Sequence, residues 1–327
     1  MRKALLIGIN DYPDKYKLHG CINDVNALEP LLKRDGYGNK LFDVKKLLDV
    51  QSGKEVLAKI EELFRGDGEM ALLYYSGHGY SSEIGTEIVM PDDITNTSAY
   101  YGLQMRDIMD IVNKSKFRNK VIILDCCHSG DMGSINKESD LSGLYPGVTI
   151  LSACRENESA MEKDNQGVFT MQLCNALDGG AAAVDGTITL GSIYTYIDRM
   201  FGSWEQRPIF KTNVSSFVPF RKVEPKVPLV VIRKIATYFP TADSEYKLDP
   251  SYEYTNSPEY SEYYKNREPL ASDAHVEIFQ ELQKMQSVGL VEPINADYMY
   301  WAAIKSKSCR LTALGKHYWR MVKFDKI

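Results

Sequence analysis

The chain has 327 residues, 44% of them hydrophobic and 25% charged. That is the balance of a folded globular protein, long enough for one large domain and a small one. No apolar run approaches the ~20 residues that span a bilayer, which excludes a helical membrane protein. The run from Ala4 to Ile9 after Met1-Arg2-Lys3 is too short for a signal-peptide core and lacks a small-residue cleavage site, so a cytoplasmic protein without a membrane partner is expected. The cysteines Cys21, Cys126, Cys127, Cys154, Cys174 and Cys309 show no CxxC pairing and no Cys/His metal spacing. A reducing compartment is expected, and a zinc centre is not.

In chain order, residues 3–9 read as a first strand, and Asn10 to His19 as a polar loop. Residues 20–32 turn helical, with Val25, Leu28, Leu31 and Leu32 on one stripe and Pro30 marking either a kink or a late start. Residues 43–48 read as a strand and 54–64 as a helix. Residues 70–75 read as a strand that breaks off in Ser76-Gly77-His78-Gly79. A short strand over 86–90 runs into Pro91-Asp92-Asp93, and a helix over 105–112 leads to the strand 120–126. After a polar loop over 131–146 come a strand at 148–153, helices over 169–177 and 190–201, and a last strand at 207–211. The alternation predicts an α/β fold, a mostly parallel sheet covered by helices on both faces.

Two stretches organise this pattern: Leu72 to Gly79, and Val121 to Gly130. Both begin as short runs apolar throughout, as suits parallel strands buried on both faces, and end in small polar residues. Ligands of open parallel sheets sit beyond the carboxyl ends of the strands. His78 and Cys127 are therefore expected at one edge, where a thiol and an imidazole make a nucleophile and its base. The alternative is a buried structural cysteine beside a surface histidine; two matching strand ends favour the pair. Side chains alternate along a strand, so Cys126 shares a face with Leu124 and Ile122 as a packing residue, and Cys127 lies nearer the turn into Ser129-Gly130. His128 points elsewhere, which leaves His78 as the base.

Tyr75-Ser76-Gly77-His78-Gly79, followed 49 positions after His78 by Cys127 in Asp125-Cys126-Cys127-His128-Ser129-Gly130, resembles the caspase-like cysteine peptidases (clan CD). Their catalytic His precedes the Cys by about 50 residues. The match is to the metacaspase and orthocaspase branch, with its D-x-C-H-S-G signature. Ala4 to Asn10, Gly20 to Asp24, Ser152 to Arg155 and Gly167 to Thr170 extend the resemblance over residues 1–222. It implies that Cys127 attacks the scissile carbonyl and His78 protonates the leaving amine. The amides of Gly79 and Cys127 would hold the oxyanion. It also implies a basic-residue pocket from Cys21, Asp24, Ser76 and Asp125. Two carboxylates facing one pocket repel each other unless a cation enters, so cleavage of polypeptides after Arg, then Lys, is expected. No cofactor is required; calcium is the one metal the resemblance brings in, through Asp92 and Asp93, which match part of that family's acidic cluster. In the loop 131–146 only Lys137 offers a basic self-cleavage point.

Composition changes near Arg221. Residues 223–272, with seven tyrosines from Tyr238 to Tyr264 among Pro, Ser and charged residues, read as an extended linker that packs by its tyrosines. Residues 273–327 read as a small α+β domain: a helix over 276–288, a hairpin pairing 290–292 with 301–305, and a helix over 311–322. This resembles a winged helix, with Gly289 to Pro293 and Cys309 to Gly315 as its wing region. From Tyr298 onward, seven cations face Asp325 alone, a basic end suited to a solvated face, an acidic regulatory protein or nucleic acid. Two competing readings follow: a catalytically silent caspase-like scaffold, and a nucleic-acid-binding regulator.

Overall fold

The structure, a computed structural model, describes residues 1–82, 85–95, 102–126, 144–153, 162–163, 165–201 and 207–327. Two compact units divide it: residues 1–182 with 187–223, and residues 183–186 with 224–327.

The first unit opens with β1 (Arg2–Gly8), α1 (Cys21–Lys33), β2 (Asp43–Leu48), α2 (Gly53–Phe64) and β3 (Asp67–Ser76). A small antiparallel sheet follows, β4 (Gly79–Ser82), β5 (Gly85–Ile88) and β6 (Leu103–Gln104), with α3 (Pro91–Thr95) inserted before β6. Then come α4 (Met105–Lys114), β7 (Lys116–Asp125), β8 (Val148–Ser152), β9 (Glu162–Lys163), β10 (Gln166–Gly167) and α5 (Val168–Asn175). The unit closes with β11 (Thr187–Ile188), α6 (Leu190–Asp198), β12 (Ile209–Asn213) and β13 (Arg221–Lys222).

Six strands form one sheet in the order β12-β8-β7-β3-β1-β2, parallel throughout except for β12 at its edge. Neighbouring residues divide between two cores, as the period of two requires. Leu5, Ile7, Leu73, Tyr75, Ile122 and Leu124 pack with α2 and α4; Ala4, Leu6, Leu72, Tyr74, Val121 and Ile123 pack with α1, α5 and α6. Cys126 is buried in the first of these cores. Both faces are covered, which is why the strands read as apolar runs without alternation.

Helix α1 starts at Cys21 and runs through Pro30. A proline interrupts one ladder bond, and here Pro30 and Asn26 lie on the exposed face, where water can serve the carbonyl left without its partner. The same helix crosses β1 at Gly8, where an added Cβ would sit 2.6 Å from the Cys21 carbonyl oxygen and 2.9 Å from Val25 Cγ2.

The second unit contains α7 (Leu229–Arg233), α8 (Ile235–Tyr238), β14 (Glu245–Lys247), α9 (Asp273–Ser287), β15 (Val291–Ile294), α10 (Met299–Ile304), β16 (Ser308–Leu311) and α11 (Ala313–Lys323). Its antiparallel sheet has the order β14-β16-β15. Two expectations change here. Ile232, Phe239, Leu248 and Tyr252, from the stretch read as linker, are buried with Phe279 and Leu282 in this unit's own core. The rings of Tyr238, Tyr246 and Tyr252 meet edge to face at 5.9 and 6.0 Å, so these tyrosines belong to a packed cluster. Residues 301–305 are not a hairpin strand: Met299, Ala302 and Ala303 are buried at helical spacing in α10, and β15 pairs with β16 instead. A helix, where a wing would have a tight loop, joins those two strands.

The close crossing at Gly8 predicts that Gly8→Ala destabilises the chain by about 1–3 kcal/mol through overpacking. Urea unfolding measures it; an unchanged midpoint would show that α1 can move aside freely.

Candidate active site

Strands β3 and β7 pair in parallel with Ser76 opposite Asp125, so both end at the same edge of the sheet. His78 lies just past the end of β3. Its main chain is held by two buried phenols: its N–H donates to Tyr12 Oη at 3.0 Å, and Tyr75 Oη donates to its carbonyl at 2.7 Å. Tyr12 Oη donates in turn to the Val89 carbonyl at 3.0 Å, and the two hydroxyls lie 3.1 Å apart. Burial pushes both phenols well above the ordinary tyrosine range, so each keeps the proton it donates. A further bond comes from the Val89 N–H to the His78 carbonyl at 3.0 Å.

The imidazole is fixed as firmly. It stands edge-on to Tyr12 at 4.5 Å and to Tyr16 at 6.3 Å. Its Nε2 lies 2.7 Å from the Tyr16 carbonyl oxygen. A carbonyl only accepts, so Nε2 carries the proton, and Nδ1 is left as the acceptor of the neutral ring. The loop that supplies Tyr12 and Tyr16 is itself anchored: Asp49 Oδ1 accepts from the N–H groups of Asn10 and Asp11, and Asn10 Oδ1 accepts from the first amides of α1 at Cys21 and Ile22. One asparagine thus ties the histidine's loop to the helix that carries Cys21 and Asp24.

Asp24 and Asp125 come together beneath this edge, at 2% and 5% exposure. Ser76 Oγ donates to Asp24 Oδ2 and the Gly167 N–H to Asp24 Oδ1, each at 2.9 Å. Thr170 donates to Asp125 Oδ2 from Oγ1 at 2.6 Å and from its N–H at 3.2 Å. The Thr170 hydroxyl therefore accepts from Tyr74 Oη, 2.6 Å away. Gly167 covers both acids: a Cβ there would sit 2.4 Å from Asp125 Oδ2 and 3.0 Å from Asp24 Oδ2. The paired charge is felt nearby. Burial first, then Asp24 and Asp178, push the Cys174 thiol up to about 12. Cys21, one turn before Asp24 on α1, is buried.

Of the expected site residues, the structure therefore gathers Cys21, Asp24, Ser76 and Asp125 below the strand end that delivers His78 and begins β4 at Gly79. Cys127 lies outside the described residues, as do His128 to Gly130, Lys137, Cys154 and Arg155. Asn10, Tyr12, Tyr16, Tyr75, Gly167 and Thr170 carry no role in the sequence reading; of these, Asn10, Tyr75, Gly167 and Thr170 fall in stretches that carry the resemblance. Asp93, at the start of α3, accepts the Met90 N–H at 2.8 Å, and burial raises its carboxyl. Among the described residues no three His, Cys, Asp or Glu side chains gather to hold a metal. No helix of the described residues is long and apolar enough to cross a membrane.

The Tyr16 contact predicts an Nε2–H tautomer for neutral His78. Nitrogen-15 NMR of the labelled side chain should report Nδ1 as the unprotonated nitrogen; a protonated Nδ1 would contradict the geometry.

Residues 1–218 match the family model described as "Caspase domain", peptidase family C14. Metacaspase-6 of Arabidopsis thaliana is 32% identical over 155 residues, 42% of this chain and 40% of that protein. Metacaspase-9 of the same plant is 29% identical over 217 residues, 62% of this chain and 63% of the relative. Metacaspase-1 of Mycosarcoma maydis is 29% identical over 196 residues, 52% and 48% of the two chains. The matched stretch thus spans between 40% and 63% of these curated relatives. The crystal structure of caspase-1 from Spodoptera frugiperda superposes with a TM-score of 0.47 at 15% identity, over 68% of this chain and 90% of that one. Matched from Met1 to Val218 by the family's own pattern, the chain belongs to the caspase-domain peptidases.

Proposed function

We propose that this chain is a cysteine endopeptidase that cleaves polypeptides after Arg, and after Lys, through Cys127 and His78. Nδ1 of His78 accepts the Cys127 thiol proton as the sulfur attacks the scissile carbonyl. The amides of Gly79 and Cys127 receive the oxyanion. His78 then gives its proton to the leaving amine, and water, activated by the same imidazole, hydrolyses the thioester. The register supports this pairing: Cys127 is two residues past Asp125, His78 is two past Ser76, and Asp125 and Ser76 are partners across the ladder. A positioned base of this sort contributes about 10²–10⁴-fold in rate.

One observation carries the specificity. Asp24 and Asp125 are both buried, and both reach the point where Gly167 would carry a side chain. Donors from Ser76, Gly167 and Thr170 keep them in place. A guanidinium brings a positive charge and two parallel N–H donors to such a pair of carboxylates; an ammonium brings the charge as a point. An acidic side chain would meet two like charges. A silent scaffold would need neither the oriented imidazole nor the paired acids.

The second unit is proposed as a module that recruits or regulates through protein contact. Its basic end is partly neutralised, since Arg310 pairs with Glu292 at 2.8 Å and Lys316 pairs with Asp243. The exposed positions of α9 include Asp273 and Glu277 as well as Lys284, a mixed face poorly suited to phosphates.

Fluorogenic peptides ending in Arg, Lys or Asp, with and without calcium, test the reading on the full chain. Cys127→Ala should abolish turnover, and Asp24→Asn should lower kcat/KM for Arg peptides by about 10²-fold, the loss of one buried charge-assisted contact. Equal cleavage after Asp and Arg would refute the pocket. Tyr12→Phe, which removes the hydroxyl at the His78 N–H, should lower kcat about tenfold with little change in KM, as for a hydrogen bond worth ~1.4 kcal/mol. A changed KM alone would place Tyr12 in substrate binding instead.

A further inference from the structure

At the edge of the sheet opposite His78, the amino ends of β7 and β8 and the carboxyl end of β12 border a cavity of about 660 Å³. Lys120 lines it and is only 6% exposed. Its ammonium makes a single hydrogen bond among the described residues, to the Pro146 carbonyl at 2.7 Å. Burial moves its pKa downward, and no carboxylate of the described residues offsets it. A buried cation without an anion is costly, and such groups are ordinarily paired. Arg118, two residues earlier on the strand, lines the same cavity and is in no ion pair among the described residues, as do Ser215 and Ser216. Glu69 also lines it; Arg2 Nη2 holds its carboxylate at 2.5 Å, and the Arg118 charge adds a weaker pull on the same carboxylate. The amides of Asn119 and Asn213 are committed to the carbonyls of Glu69 and Leu144.

What the cavity offers is thus an ammonium, a guanidinium and two hydroxyls. We propose that it binds a small phosphoryl anion, with Lys120 and Arg118 as the charged ligands and Ser215 and Ser216 as further donors. A phosphomonoester carries nearly two negative charges and three acceptor oxygens, which matches two cations flanked by hydroxyl groups. This site is separate from the peptidase reading and does not depend on it.

Isothermal titration of the full chain at constant ionic strength, with inorganic phosphate, adenosine monophosphate and acetate as titrants, tests it. Saturable binding of phosphate with none of acetate is the expected result. Tighter binding of the nucleotide would identify a phosphoester ligand, and equal binding a free phosphate. Lys120→Met and Arg118→Gln should each weaken phosphate binding at least tenfold, and Lys116→Gln, on the same strand but away from the cavity, should not. Arg118 is exposed, so its variant reads the site even where Lys120→Met fails to fold. Phosphate binding no better than acetate, or unchanged in Arg118→Gln, overturns the proposal.

Discussion

The site rests on one register. Because β3 and β7 run parallel with Ser76 opposite Asp125, a histidine and an acid distant in sequence leave the sheet side by side. A slip by one residue would turn every side chain of one strand to the other face. Both strands are buried on both faces, with Leu72, Tyr74, Val121 and Ile123 in one core and Leu73, Tyr75, Ile122 and Leu124 in the other. A slip would gain nothing for either core and would break the fit of both. The cores therefore specify the chemistry's geometry before any catalytic side chain is considered.

On that frame, two kinds of strain are offset in different ways. The imidazole is an exposed, mobile type of group, and it is fixed through backbone: a carbonyl at Nε2, and two tyrosine hydroxyls on its own N–H and C=O. The acids are buried like charges, and they are tolerated through donors arranged one by one from Ser76, Gly167 and Thr170. Those donors come from β3, β10 and α5, so the acids join the two halves of the unit.

Much of this was legible in the residues. Apolar runs without alternation mark parallel strands, and small polar residues at their ends mark the edge where His78 and Gly79 emerge. The carboxylate pair was legible only through resemblance, since Asp24 alone reads as a helix residue and Asp125 as a turn-former. What fixes His78 was not legible, because a main-chain carbonyl such as that of Tyr16 has no signature in sequence, and it acts across 62 positions. Gly167 enters the sequence reading only within a matched stretch, and its part shows once the two acids beneath it are seen. In the second unit, tyrosines scattered among prolines hid a core, because packing there follows ring-to-ring contacts and no helical or strand period. Residues 301–305 read as one side of a hairpin with 290–292, although Met299, Ala302 and Ala303 fall on one helical stripe.

The most direct measurement of the central claim is covalent. A peptidyl arginine chloromethyl ketone, incubated with the full chain and mapped by peptide mass spectrometry, should alkylate Cys127 and leave Cys21, Cys126 and Cys174 unmodified. The same reagent ending in aspartate should react far more slowly, and His78→Ala should suppress the adduct. Labelling spread over the other cysteines, or labelling of Cys127 indifferent to both His78 and the arginine, would contradict an account in which thiol, imidazole and acidic recess form one site.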